Sequence, residues 1–307
     1  MTDGVQQPPP AEAGPDAQAP AEVTPRRALS PSRAADFMQC PLLYRFRTID
    51  RLPETPSASA ARGTVVHAVL ERLFDLPADQ RTPERACSMV EDQWRELVER
   101  EPRVGTLFAP PADAADDDAD RTDAPLQAWL DSARKLLQRY FDLEDPTRLE
   151  PAGREVRVEV DLTDDLLLRG IVDRLDVAPG GAMRVVDYKT GRAPSQTFEA
   201  KAMFQMRFYA LVLWRLRGRV PQLLQLVYLG SGEIVSYAPD EDDLLATERK
   251  VRALWDAIER NRRSGDWRPR PGRTCAWCDH KALCPSFGGT PPPLPAAARP
   301  GPQVAPA

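Results

Sequence analysis

A mixed α/β (α+β) fold, with a central mixed sheet flanked by helices behind an N-terminal helical region, is predicted by three features of this 307-residue sequence. Helical periodicity fills most of the chain between residue 30 and residue 145. Three strand-length stretches follow one another from residue 154 to residue 188. After them come a long helical pattern, two shorter strand patterns and a last helix. No internal repeat is present.

The first helix begins at Leu29-Ser30-Pro31-Ser32, where Ser30 suits the cap and Pro31 the first helical position, and it runs to about Cys40. A second helix is expected after Gly63, because Val66, Val69, Leu70, Leu73 and Phe74 recur at helical spacing. Segments 83–99 and 124–143 read as further helices with an acidic linker between them, and together they suggest a helical insert. Residues 154–162 alternate charge with Val or Leu, 166–177 form a long apolar-rich strand, and 183–188 form a third. Pro179-Gly180-Gly181 supplies the turn that makes the last two an antiparallel hairpin. A helix over 197–216, strands at 222–229 and 232–238, and a helix over 241–263 complete the order.

Composition narrows the class. Residues 1–27 and 288–307 are rich in Pro, Ala and Gly and bury no core, so both tails are expected to be disordered around one domain over 28–287. The insert occupies about 78–145 and includes the acidic linker 109–123. With no signal-like start and no apolar run of membrane-spanning length, the expectation is a cytoplasmic protein with no membrane contact. The net charge of -5 is unevenly spread. Residues 111–123 carry six Asp against one Arg, whereas 183–219 carry eight basic residues against two acids and 249–273 carry nine against three. A polyanion responds to the local patch, because salt screens charges beyond roughly 8–10 Å. Net acidity therefore does not exclude DNA, although each basic stretch taken alone also fits a solvated helix face.

The third strand ends Asp187-Tyr188-Lys189, so Asp187 and Lys189 project to one face. A hairpin register aligning the strand ends would bring Asp173 beside Asp187. Two converging carboxylates suit Mg²⁺ or Mn²⁺, which prefer hard oxygen ligands. Such a site can orient a phosphodiester and activate water, with Lys189 positioned to move a proton or offset developing charge. As isolated triplets, Asp173-Arg174 and Asp187-Tyr188-Lys189 also fit plain surface ion pairs.

Gly170-Ile171-Val172-Asp173-Arg174 followed by Val185-Val186-Asp187-Tyr188-Lys189-Thr190-Gly191 resembles the two central motifs of the RecB-like nucleases, a branch of the PD-(D/E)XK superfamily. Gly63-Thr64-Val65-Val66-His67 resembles that branch's helical histidine motif, and Gln205 with Tyr209 matches its Q-x-x-x-Y motif. The resemblance implies that His67, Asp173, Asp187 and the backbone carbonyl of Tyr188 bind the metal and that Lys189 is the catalytic lysine. Gln205 and Tyr209 would steer the DNA strand or brace the site, and Glu71 would stand behind the ligands.

Cys40 lies near the start of the fold, and Cys275, Cys278 and Cys284 lie near its end. One remote and three clustered thiolates satisfy either a [4Fe-4S] cluster or Zn²⁺. The arrangement resembles the iron-sulfur, AddB-like version of the same branch, which implies the cluster. A clip of this kind closes a very long loop. Cys87 reads as a buried structural residue, and His280 as exposed.

No G-x-x-x-x-G-K-[ST] phosphate loop occurs, so any helicase or repair partner is a separate chain. Ser132-x-x-Lys135 and Lys189-Thr190-Gly191 are pieces of the penicillin-binding serine enzymes, but the middle motif of that family is missing. The expected activity is metal-dependent, ATP-independent DNA hydrolysis, exonuclease rather than endonuclease, in repair or recombination. The alternative is a non-catalytic DNA-binding or scaffold subunit of a helicase-nuclease complex.

Overall fold

The computed structural model describes residues 27–109, 119–193 and 196–295. Strand β1 (Ala28–Leu29) leads into α1 (Pro31–Gln39), whose cap is Ser30, its hydroxyl accepting from the Arg33 N–H at 3.3 Å. Helix α2 (Pro41–Tyr44) continues into a π-helical turn at Arg45–Ile49, and α3 covers Ala58–Leu73. Helices α4 (Pro83–Ser88), α5 (Val90–Arg100), α6 (Pro102–Gly105) and α7 (Ala119–Leu143) form the insert. Strands β2 (Gly153–Thr163), β3 (Leu166–Val177) and β4 (Met183–Lys189) come next, then α8 (Gln196–Arg217), β5 (Leu223–Tyr228), β6 (Glu233–Tyr237) and α9 (Glu241–Ser264).

The sheet is mixed, as expected. Its order is β1-β3-β4-β5-β6, with β2 also paired to β3. β3 lies antiparallel to β2 and β4, β4 and β5 run parallel across the α8 crossover, and β6 returns antiparallel. Alternation along β4 divides the interior into two layers. Met183 and Val185 pack with Phe37, Phe208, Leu226 and Trp255 under α1, α8 and α9. Val186 and Tyr188 pack with Val69, Trp94, Leu137 and Tyr140 under α3, α5 and α7. The insert is thus the second wall of the core.

Several boundaries differ from expectation. α3 starts at Ala58 rather than after Gly63, because Ser57 caps it, accepting from the Ala60 N–H. The expected helix over 83–99 breaks at Met89, and both halves still bury one side, Ala86 then Val90, Trp94 and Leu97. α7 begins at Ala119, earlier than expected, and most of the acidic linker, 110–118, lies outside the described residues. The supposed tails reach onto the fold: the Arg27 carbonyl accepts from the Leu167 N–H at 3.1 Å, and Leu294 packs against the first core layer. Residues 1–26 and 296–307 lie outside the described residues. No described helix is long and apolar enough to cross a membrane.

Candidate active site

The ladder between β3 and β4 ends at Arg174 opposite Val186, and one further step of that register sets Asp173 opposite Asp187. Beyond it the Tyr188 N–H donates to Asp173 Oδ2 at 2.7 Å, so a side chain takes over where the strands separate. His67 reaches the same point from α3, its Nε2 2.9 Å from the Tyr188 carbonyl oxygen and its Nδ1 3.4 Å from Asp173 Oδ2. Asp187 is only 2% exposed. Apart from the Lys189 ammonium, 2.5 Å away, its Oδ2 has no hydrogen-bond partner among the described residues.

Gln205, on α8, ties these groups together. Its Nε2 donates to Asp187 Oδ1 at 2.9 Å and to the Tyr209 hydroxyl at 3.0 Å, and its Oε1 accepts from Lys189 Nζ at 3.1 Å. The amide is therefore oriented by a carboxylate on one side and an ammonium on the other. Gly170 makes room for this arrangement, since a Cβ there would lie 2.5 Å from Cε1 of Tyr209. The residues named from the sequence for the hydrolytic site fall into two hydrogen-bonded sets that meet at the end of β4: His67 and Asp173 on the Tyr188 backbone, and Asp187 and Lys189 with Gln205 and Tyr209.

Glu155 on β2 joins the first set unannounced by the sequence. Its Oε1 is 3.9 Å from His67 Nδ1, and His67, Glu155 and Asp173 together form a set able to hold a metal ion. Its backbone has φ +45°, the left-handed region that a non-glycine residue avoids. Outliers of this kind persist where the surroundings impose them, often at functional sites. The sequence signal was the charge alternation of β2, but the strand partner of Glu155 could not be read from it.

Electrostatics favour a cation here. Burial, then repulsion from Asp187 and Glu155, holds the Asp173 carboxyl well above its ordinary range, against the Tyr188 N–H and Lys189. Burial, Glu71 and Asp187 raise Glu155 as well. Burial lowers His67 and keeps its imidazole neutral, which leaves it able to act as a ligand. The donor set is hard oxygen plus imidazole. Two ligands about 2.1 Å from an octahedral Mg²⁺ or Mn²⁺ lie about 3 Å apart when adjacent, which is the spacing of His67 Nε2 and the Tyr188 oxygen. The residues fit such an ion.

Arg174 does not pair with its neighbour Asp173. It is buried and grips Glu144, beyond the end of α7, through two hydrogen bonds of 2.7 Å, and it donates to the Tyr188 hydroxyl at 2.5 Å. The Arg of the motif thus fixes the residue whose carbonyl and N–H lie in the site.

The family model described as the PD-(D/E)XK nuclease superfamily matches residues 28–285. The chain belongs to that superfamily. Two relatives of this PD-(D/E)XK protein are each called Gene 69 protein. That of Mycobacterium phage L5 is 24% identical and that of Mycobacterium phage D29 is 26% identical, each alignment covering 84% of this chain and 96% of the relative. A crystal structure of a candidate exonuclease from Eubacterium rectale superposes with a TM-score of 0.53 at 13% identity, over 82% of this chain and 87% of that one. That likeness concerns the fold.

In this PD-(D/E)XK chain, Cys40, Cys275, Cys278 and Cys284 line one cavity, with the Arg270 N–H 3.4 Å from the Cys40 sulfur. Burial and the neighbouring thiols Cys275, Cys40 and Cys284 raise Cys278, against a backbone hydrogen bond at His280. No three of the four sulfurs lie within 4.8 Å of one another. His280, expected at the surface, is instead buried, with Phe46 edge-on to its ring and Glu54 Oε1 3.3 Å from Nε2. Cys87 is half-buried, its thiol 3.8 Å from the Arg134 carbonyl oxygen.

Proposed function

We propose that this chain is a Mg²⁺- or Mn²⁺-dependent deoxyribonuclease of the RecB-like branch, working without ATP and as an exonuclease. The observation that carries the reading is the metal-capable set of His67, Glu155 and Asp173 around the Tyr188 backbone, with the Asp187 carboxylate and the Lys189 ammonium on the residues either side of Tyr188. An ion bound there supplies positive charge to phosphate oxygens and acidity to a water. Lys189 is placed to orient that water or to neutralise charge developing on the phosphate. Gln205 holds both the Lys189 ammonium and the Asp187 carboxylate in place, and Tyr209 braces Gln205. Glu155 and Asp173 both face the Nδ1 side of His67, where a carboxylate can share an ion with the ring or fix the ring for ligation through Nε2.

The same reading assigns a [4Fe-4S] cluster, rather than Zn²⁺, to Cys40, Cys275, Cys278 and Cys284. It is supported by the four thiols lining one cavity and by the one-remote, three-clustered spacing of the cysteines in the sequence. It extends to a cytoplasmic role in repair or recombination. A helicase or repair subunit working beside it is part of the same reading. The non-catalytic alternative has no observation in its favour, because the acidic pair and lysine are intact.

The test is digestion of linear DNA by purified protein with Mg²⁺ or Mn²⁺ and no nucleotide. Degradation that stops with chelator and in Asp187→Ala is expected. Equal degradation by the Asp187→Ala protein would assign the activity to another site or a contaminant.

A further inference from the structure

A cavity of about 700 Å³ opens from the candidate site, sharing Gln205 and Tyr209 with it. Its walls come from the start of α1, from α8 and from the β2–β3 ribbon. The ribbon's register pairs Arg157 with Ile171 and Glu159 with Arg169, and sets these four on one face, two and four positions along the strands from Glu155 and Asp173. Along β3 the path from Asp173 therefore passes Ile171 to Arg169, roughly 13 Å further along the strand. That distance takes Arg169 beyond the scissile phosphate to a neighbouring one.

The chemistry along the line suits a polyanion with unstacked bases. Arg157 is exposed, and among the described residues neither it nor Arg169 makes a salt bridge; Glu159, the carboxylate of the cavity wall, lies cross-strand from Arg169 without one. Arg33, on α1, is lowered first by its burial and then by the guanidinium of Arg169, a like charge held close. Lys250 of α9 stands 4.7 Å from the ring centre of Phe204, another wall residue. Between these cations and the carboxylates sits Ile171, an isoleucine 46% exposed on the cavity wall. Like charges gathered without acidic partners fit phosphates, and an exposed apolar side chain beside them fits a base face.

We infer that this groove is a subsite for single-stranded DNA, taking the nucleotides on one side of the scissile bond, with Arg157 and Arg169 on phosphates and Ile171 against a base. The inference deepens the nuclease reading and rests on it for the direction of the strand. A duplex keeps its bases stacked and gives Ile171 nothing to touch, so the groove discriminates for single strands.

The test is binding rather than cleavage. Fluorescence anisotropy in chelator, over a series of salt concentrations, would use a short labelled single-stranded DNA, the same sequence as duplex, and its RNA counterpart. Wild type should bind the single-stranded DNA more tightly than the duplex. Arg157→Ala with Arg169→Ala should weaken binding and flatten the slope of log K against log salt by about 0.7 for each phosphate no longer neutralised. Arg157→Lys with Arg169→Lys should keep the slope, which separates lost charge from lost fold. Ile171→Ala should weaken binding at an unchanged slope. A wild-type slope in the double Ala protein, equal or better binding of duplex, or preference for RNA would overturn the inference. Wild-type protein that binds as described yet never hydrolyses DNA with Mn²⁺ would remove the nuclease reading and leave the groove standing.

Discussion

Replacing Arg174 with Met tests the link between the helical insert and the candidate site. The side chain is 1% exposed and its partner Glu144 8% exposed. Two hydrogen bonds of 2.7 Å join them, and Arg174 also lies over the rings of Tyr188 and Phe74. Met fills much of the same space, but it leaves the Glu144 carboxylate buried without a counter-charge. Breaking one side of such a pair costs about 3–5 kcal/mol, whereas replacing both sides by apolar groups is often near neutral. For a domain of this size about 1 kcal/mol corresponds to about 2–4 °C, so Arg174→Met should melt about 6–20 °C lower. Glu144→Leu should lose less, because the guanidinium keeps Asp176 at 3.2 Å and the Tyr188 hydroxyl as partners. The double variant should melt no lower than the worse single variant. Thermal melts followed by circular dichroism give all four values. Strictly additive losses would refute the reasoning, because uncoupled side chains would then be acting separately.

Three further outcomes follow from the site. Asp173, raised by burial and its acidic neighbours, keeps its proton in the folded protein after the unfolded chain has lost it. Its contribution to stability is therefore complete below about pH 4 and is lost as pH rises through the raised value; Mn²⁺ must displace the same proton, so calorimetry should show affinity rising with pH and proton release on binding, while a flat profile would contradict the assignment. Glu155→Gly should relieve the left-handed backbone and stabilise the metal-free protein by about 1 kcal/mol, yet weaken Mn²⁺ binding about 10- to 100-fold; unchanged Mn²⁺ affinity would make Glu155 a bystander. Gly170→Ala should push Tyr209 off Gln205 and lower the cleavage rate with little loss of global stability, and a wild-type rate would show that Tyr209 braces nothing.

The legible part of the structure was what local pattern determines. Strand β3 carries its apolar content over 166–177 and forms over those residues, and the Ser30 cap of α1 fixes a helix start that needs no tertiary information. The pairing of Asp173 with Asp187 followed from the Pro179 turn, which sets the β3–β4 register. Glu155 was hidden by a different effect. Counting back from the tight turn at 164–165 places it opposite Arg174, where it reads as a cross-strand ion pair. A register shift between Asp161 and Thr163 moves the ribbon by one residue and turns Glu155 toward Asp173 instead. Nothing in the residue types announces that shift. The burial of Arg174 and His280 was hidden for a related reason: Glu144 and Glu54, which lie against them, are remote in sequence. The break at Met89 is likewise set by packing on the second core layer.

The proposed hydrolysis turns on a single ion that groups from two strands and a helix would hold. Calorimetric titration of metal-free protein with Mn²⁺, run on wild type, Asp173→Asn and Asp187→Asn, measures this directly. One tightly bound Mn²⁺ per chain in the wild type, and affinity lost in both variants while their folds persist, is the predicted result. Binding that survives both substitutions, or no binding by a folded wild type, would contradict it.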